Sequence, residues 1–135
     1  MSKEQTLSII KPDAVERNLI DDIKNIFKKN NLKIKEDKKI HLTKEEAAEF
    51  YRVHQSKSFY DQLCSYLSSG PIVAIILEGE NSVKLNRELM GATDPKKAEE
   101  NTIRKLYGIS IDKNSVHGSD SVENAKKEID FFFKN

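Results

Sequence analysis

The run Ile72–Leu77 is apolar without a break and follows the turn-forming triplet Ser69-Gly70-Pro71. A strand that is apolar at every position has to be buried on both of its faces. It therefore predicts a central strand with packed cover above and below, and a chain of 135 residues must supply that cover from what remains. The length fits one domain, residues 1–135, and a domain of this size buries roughly two-thirds of the surface its unfolded chain exposes. With 37% hydrophobic and 33% charged residues and only 5 Gly and 3 Pro, the chain is neither disordered nor collagen-like. The apolar run is far too short to span a bilayer, and the polar start Met1–Gln5 predicts no signal peptide. The single Cys64 excludes an internal disulfide and a cysteine-built metal site and suits a reducing compartment, so a cytoplasmic location is expected. Lys and Arg total 23 against 22 Asp and Glu, so there is no general attraction to nucleic acid or to a membrane surface. Any affinity for anions must come from a local cluster.

Around the central strand the pattern alternates between the two periods. Thr6–Ile10 is short and β-prone, and Lys11-Pro12-Asp13 stops it. Ile20, Ile23 and Phe27 recur at helical spacing up to Asn30-Asn31. Leu32, Ile34, Ile40 and Leu42 alternate with charge as in a half-exposed strand, with a turn or bend predicted at Glu36–Lys39. Thr43 followed three residues on by Glu46 has capping-box form, and Ala47, Phe50, Tyr51 and His54 fall on one face of the helix behind it. Phe59, Leu63, Tyr66 and Leu67 form a second amphipathic stretch, and Asn81–Met90 reads as a helix ended by Gly91. Ala92–Asn114 is long and polar, with at most a short helix near Thr102–Tyr107, and segments of this kind are usually functional. A last helix starts from the Asp120–Glu123 spacing and carries Val122, Ala125, Ile129 and Phe132 on its face. The order β-α-β-α-α-β-α-loop-α predicts an α+β fold, a ferredoxin-like α/β sandwich with a four-stranded antiparallel sheet covered by helices. The fourth strand is not visible in the pattern; Ile109–Ile111 is too short to fill the place.

Of the three histidines, His41 sits at an outward position of an alternating strand and His54 ends a helical stripe. His117 differs. It lies in Asn114-Ser115-Val116-His117-Gly118-Ser119-Asp120, between the long polar segment and a helix start, with small residues leaving room for a large ligand. Free N–H groups of a helix N-terminus favour an anion there, although Gly118-Ser119-Asp120 is equally readable as a turn and a cap. Lys11, Arg87 and Arg104 each stand near the end of an element, and Thr93 shares the loop region of Arg104. Together these residue types suit phosphate oxygens, which want fixed cationic and hydroxyl donors. Neither glycine-rich phosphate loop, nor the Gly-x-Ser-x-Gly nucleophile elbow, occurs anywhere in the chain.

The segment Asn114–Asp120 resembles the active-site stretch Asn-x-x-His-Gly-Ser-Asp of nucleoside diphosphate kinases. The resemblance runs through Ile10-Lys11-Pro12-Asp13, Ser69-Gly70-Pro71, Leu89-Met90-Gly91-Ala92-Thr93, Asn101-Thr102-Ile103-Arg104, Glu128-Ile129 and Phe131-Phe132-Phe133, so it covers essentially the whole chain in order. It implies a ping-pong transfer of the γ-phosphoryl group of a nucleoside triphosphate, mainly ATP, to a nucleoside diphosphate through a phosphohistidine at His117. By the same resemblance Glu128 orients that ring with Ser119 in its network, Phe59 stacks on the base, and Lys11 and Asn114 hold sugar hydroxyls. Lys11 also lies near the transferred phosphate. Arg87, Thr93 and Arg104 match phosphate binders, and Tyr51 and His54 match residues lining the pocket. The implied cofactor is Mg²⁺ held mainly by the nucleotide phosphates. The alternative is a catalytically weak nucleotide-binding or regulatory module of the same fold.

On residue pattern alone Glu128 reads as an exposed helix carboxylate, and Phe59 and Tyr51 as core. The chain departs from the family at Asn101, where glycine is frequent, and at Lys105-Leu106, where many members have Gly-Asp. Phe131, Phe132 and Phe133 spread over roughly 200° of helical arc. They cannot all face one core, which predicts self-association, as a homotetramer or homohexamer.

Overall fold

The computed structural model describes residues 4–52, 55–58, 60–110 and 113–133. Its elements are β1 (Glu4–Ile10), α1 (Pro12–Glu16), α2 (Ile20–Lys29), β2 (Lys33–Ile40), α3 (Lys44–Phe50), α4 (Tyr60–Leu67), β3 (Ile72–Gly79), α5 (Ser82–Met90), α6 (Ile103–Tyr107), β4 (Val116–Gly118) and α7 (Val122–Phe133), with a 3-10 turn at Pro95–Lys97. The four strands pair antiparallel in the order β2-β3-β1-β4. This is the predicted ferredoxin-like α+β arrangement.

The apolar run of β3 is buried throughout Ile72–Leu77, and its alternation splits the core in two. Val73, Ile75 and Leu77 face one side with Ile23 and Phe27 of α2, Met90 of α5 and Ile103 of α6. Ile72 and Ala74 face the other with Ala47 of α3, Leu67 of α4 and Phe132 of α7. Continuous burial of the strand is thus the direct result of helices on both faces.

Four local readings change. The turn predicted at Glu36–Lys39 does not form; β2 is continuous, with a bulge between Ile34 and Glu36. An extra residue flips the side-chain parity. Ile34 consequently packs on the α2 side and Ile40 on the α3 side, although their numbers share parity. Pro12 does more than stop β1: it opens α1, where its missing N–H costs nothing. The hidden fourth strand is β4, a three-residue edge strand on β1 that contains His117 itself. The capping box forms as predicted: the Glu46 N–H donates to Thr43 Oγ1 and the Thr43 N–H to Glu46 Oε1. At α7 the cap is Ser121, whose hydroxyl accepts the Asn124 N–H, rather than Asp120. Among the described residues no helix is long and apolar enough to cross a membrane.

Between β1 and α5 lies a polar layer. Ser82 of α5 donates from its hydroxyl to the Glu4 carbonyl, and one turn further on Asn86 meets the β1–β4 pair at Gly118, the partner of Ser8. Thr6, Ser8 and Asn86 are fully buried, and their side-chain polar atoms have no hydrogen-bond partner among the described residues. Removing such an unmet hydroxyl without changing shape is favourable. Thr6→Val is therefore expected to stabilise the fold by about 1 kcal/mol, read as a higher urea midpoint at unchanged slope.

Candidate active site

Edge strand β4 sets His117 opposite Ile9 and Gly118 opposite Ser8. The strand lies close beneath α5. A Cβ built on Gly118 would sit against the Asn86 amide and 2.8 Å from Met90 Cε. A Cβ there fits only if the Asn86 and Met90 side chains move. Gly118→Ala is expected to cost about 2 kcal/mol from overpacking and to displace the neighbouring imidazole, so the melting temperature and activity fall together.

The imidazole is held from one side. His117 Nε2 lies 2.9 Å from Glu128 Oε1, and the Ser119 hydroxyl donates to the same oxygen at 2.9 Å. An ionised carboxylate only accepts, so Nε2 carries the proton and Nδ1 keeps its lone pair. Nδ1 has no hydrogen bond among the described residues. Phe50 and Tyr51 stand edge-on to the ring, with centroids 5.4 and 6.4 Å away, which fixes its plane. Burial raises the Tyr51 phenol well above its ordinary range, and the Glu128 charge adds to this, so the hydroxyl stays protonated beside the site. The imidazole opens onto a cleft of about 280 Å³, lined among others by Phe50, Arg52, Lys127, Glu128 and Phe131.

The cationic residues sit just past β1 and on the helices α5 and α6. Lys11 closes β1 and is buried; its ammonium donates to Asn114 Oδ1 at 2.9 Å, and the Asn114 amide donates to the Thr93 carbonyl at 3.1 Å. Arg104 of α6 is buried as well, donating to the Gly91 carbonyl at 3.0 Å and to the Val116 carbonyl at 2.9 Å. Its Nε has no partner among the described residues. Burial, with the nearby Arg87 charge, lowers its guanidinium to about 10, which still leaves it cationic at neutral pH. Arg87 is exposed on α5 and also helps to hold the Asp120 carboxyl low, after the larger effect of the Asn124 hydrogen bond. A phosphate oxygen would relieve the mutual repulsion of Arg87 and Arg104. A larger hollow of about 540 Å³ runs along α5 past Lys84, Arg87, Glu88 and Asp120. His117 does not line it but lines the smaller cleft.

The structure thus gathers Lys11, Tyr51, Arg104, Asn114, His117, Ser119 and Glu128, with Arg87 and Thr93 at the margin. His54 and Phe59 lie outside the described residues. Glu128 is not a free helix carboxylate: only 20% of its side chain is exposed and His117 occupies it. Tyr51 belongs to core and site at once. His41 is exposed, its Nε2 2.8 Å from the Ser68 carbonyl. Phe50 and Phe131 escape sequence reasoning as site residues, because an aromatic ring carries no signal separating core from cleft wall. The three terminal rings all find contacts within the chain, Phe131 on Phe50, Phe132 in the core and Phe133 under Lys38. Their splay therefore no longer requires a second copy. Asn101 has φ +68°, the left-handed backbone that glycine would take and that asparagine tolerates, so the family departure keeps the turn.

An imidazole whose Nε2 meets a carboxylate beside a cleft that also carries Arg52 and Lys127, with buried Lys11 and Arg104 on other segments, is a residue set suited to handling phosphoryl groups on a ferredoxin-like sheet. Comparison with known proteins agrees with this class. The family model described as nucleoside diphosphate kinase matches residues 4–135. A nucleoside diphosphate kinase of a Nitratiruptor species is 58% identical over 130 residues, 96% of this chain and 95% of the relative. One of Persephonella marina is 55% identical over 133 residues, 98% and 95% of the two chains. The crystal structure of the Aquifex aeolicus nucleoside diphosphate kinase superposes with a TM-score of 0.96 at 42% identity, covering 99% of this chain and 97% of that one. The chain belongs to the nucleoside diphosphate kinase family, a family of phosphotransferases.

Proposed function

We propose that the chain, acting as one domain over residues 1–135, moves the γ-phosphoryl group of a nucleoside triphosphate, mainly ATP, to a nucleoside diphosphate by a ping-pong route through His117. Nδ1 attacks the γ-phosphorus; the P–N bond forms as the P–O bond to the β-phosphate breaks, and the diphosphate leaves. A terminal phosphate oxygen of a second diphosphate then attacks the same phosphorus, the P–N bond breaks and His117 is regenerated. Glu128 holds the Nε2 proton through both steps and offsets the positive charge on the phosphorylated ring, while Ser119 keeps the carboxylate in place. Lys11, Arg87, Thr93 and Arg104 bind phosphate oxygens, which supplies the alignment and charge neutralisation this chemistry needs. Lys11 and Asn114 take the sugar hydroxyls, Tyr51 and His54 line the pocket, and Phe59 stacks on the base. Every base offers a π-face, so a broad range of nucleotides is accepted.

The described residues contain no group of His, Cys, Asp and Glu able to cage a metal ion, and the site's donors are cations. Such a donor set fits a Mg²⁺ that arrives on the nucleotide phosphates, where it neutralises their charge. A cytoplasmic location fits this substrate class. Leu106 and Ile109, exposed at 53% and 57%, support assembly with further copies as a tetramer or hexamer.

The observation that carries the reading is the shared Glu128 oxygen, which takes both His117 Nε2 and the Ser119 hydroxyl and leaves Nδ1 without a hydrogen bond among the described residues. The test is a labelling and chase. Protein mixed with γ-labelled ATP and Mg²⁺, then isolated, is expected to carry acid-labile label on His117 that passes to GTP when GDP is added. Nucleotide binding without label on the protein would instead establish a binding module of the same fold.

A further inference from the structure

We propose that Asp13 is a positioning residue of the transfer site, its buried carboxylate clipping together the segments that carry Lys11, Asn114 and His117. The inference rests on the phosphoryl-transfer reading above. Asp13 lies two residues after Lys11 in the first turn of α1, where an acid is ordinarily a solvated partner of the helix N-terminus. This one is closed off, with 4% of its side chain exposed. Its Oδ2 accepts from the Ser115 hydroxyl at 2.9 Å and from Arg17 Nη2 at 3.0 Å, and its Oδ1 accepts from the Tyr66 hydroxyl. The Asp13 N–H returns a bond to the Tyr66 oxygen at 3.0 Å.

These partners come from separate parts of the chain, and each lies beside a residue of the site. Ser115 adjoins Asn114 and stands two residues before His117. It is fully buried with φ +74°, and its carbonyl accepts the Lys11 N–H at 2.8 Å. A non-glycine residue in the left-handed region is strained and persists only where its surroundings over-determine it. The Asp13–Ser115 bond is such a constraint. Arg17 extends the clip by donating to the Tyr107 carbonyl at 2.6 Å, at the end of the helix that carries Arg104. Tyr66 ties in α4; burial and the bond to Asp13 push its phenol far above the ordinary range, so it remains a donor. A group that fixes these segments fixes where Lys11 and Asn114 meet the substrate, and a displacement of about 1 Å in such a site costs up to roughly 10²-fold in rate.

The test uses the full chain with Asp13→Asn, Ser115→Ala and Tyr66→Phe, each in the native background and with Lys11→Ala. Single-turnover labelling of His117 by ATP and Mg²⁺ is measured per folded molecule, alongside the melting temperature. Expected is a loss of about tenfold for Asp13→Asn and Ser115→Ala when Lys11 is present, shrinking below about twofold when it is absent. Equal losses in both backgrounds, or a lower melting temperature with an unchanged rate, would overturn the proposal and leave Asp13 a structural residue. If Asp13→Asn does not fold, Ser115→Ala and Tyr66→Phe, each lacking a single hydroxyl, decide the matter on the same criteria. Failure of the native protein to take label on His117 would sink the transfer reading itself, whereas label there with indifferent variants sinks only the role of Asp13.

Discussion

Replacing His117 by alanine is expected to abolish transfer while leaving a folded, nucleotide-binding protein. The imidazole is about one-fifth exposed, and among the described residues its side chain hydrogen-bonds to Glu128 and meets only the edges of Phe50 and Tyr51, so little of the core depends on it. The cationic donors proposed to bind phosphate, Lys11 and Arg104, hang on Asn114, Gly91 and Val116 rather than on His117. No second imidazole lines the described cleft, whose other polar side chains are carboxylates, Arg52, Lys127 and Asn124. Removing a nucleophile that forms the covalent intermediate costs about 10⁴-fold or more in kcat. Steady-state kinetics, nucleotide binding by calorimetry and circular dichroism together check the result. Turnover within tenfold of the native protein would eliminate the phosphohistidine route.

Glu128→Ala should leave His117 in place and slow it. Without the carboxylate the Nε2 proton loses its acceptor, so the ring turns more freely and the tautomer that frees Nδ1 is no longer selected. The positive charge of the phosphorylated ring also goes unbalanced. Losses of such supporting carboxylates run to about 10–100-fold, and the same range is expected here in kcat. KM should change little, because Glu128 faces the imidazole and Ser119, not the phosphate donors. The buried Ser119 hydroxyl loses its acceptor at the same time, which adds an expected loss of about 1 kcal/mol in stability. Glu128→Gln keeps an accepting oxygen without the charge and should fall between the two. Measuring the rate of label uptake by His117 separates these effects, and an unchanged rate in the alanine variant would remove Glu128 from the mechanism.

Much of the fold is legible in the chain because it rests on local rules. An unbroken apolar run forces a doubly covered strand, a threonine three residues before a glutamate forces a helix start, and Gly91 ends α5 where expected. β4 is not legible, since three residues show no period; the strand exists because β1 offers it hydrogen bonds. The bulge in β2 is hidden for the opposite reason. A regular alternation looks the same whether one extra residue flips the faces or a turn resets them. Site residues with motif neighbours, His117 and Lys11 among them, can be named from the chain. Phe50 and Phe131 cannot, because a ring against the imidazole and a ring in the core are the same residue type.

The order of residues alone settles which side chains are available: one imidazole in a small-residue segment, three cations near element ends, and a carboxylate one helix later. That information is local, carried by residue type and by spacing of a few positions. Whether these groups meet is a matter of three-dimensional packing. The Lys11–Asn114 bond joins residues 103 apart and the Asp13–Ser115 bond residues 102 apart. Contacts over such separations arise from closing the sheet with β4 on β1, where burial of both faces selects one register. No periodicity in the chain encodes that distance, because the energy that sets it belongs to the packed whole.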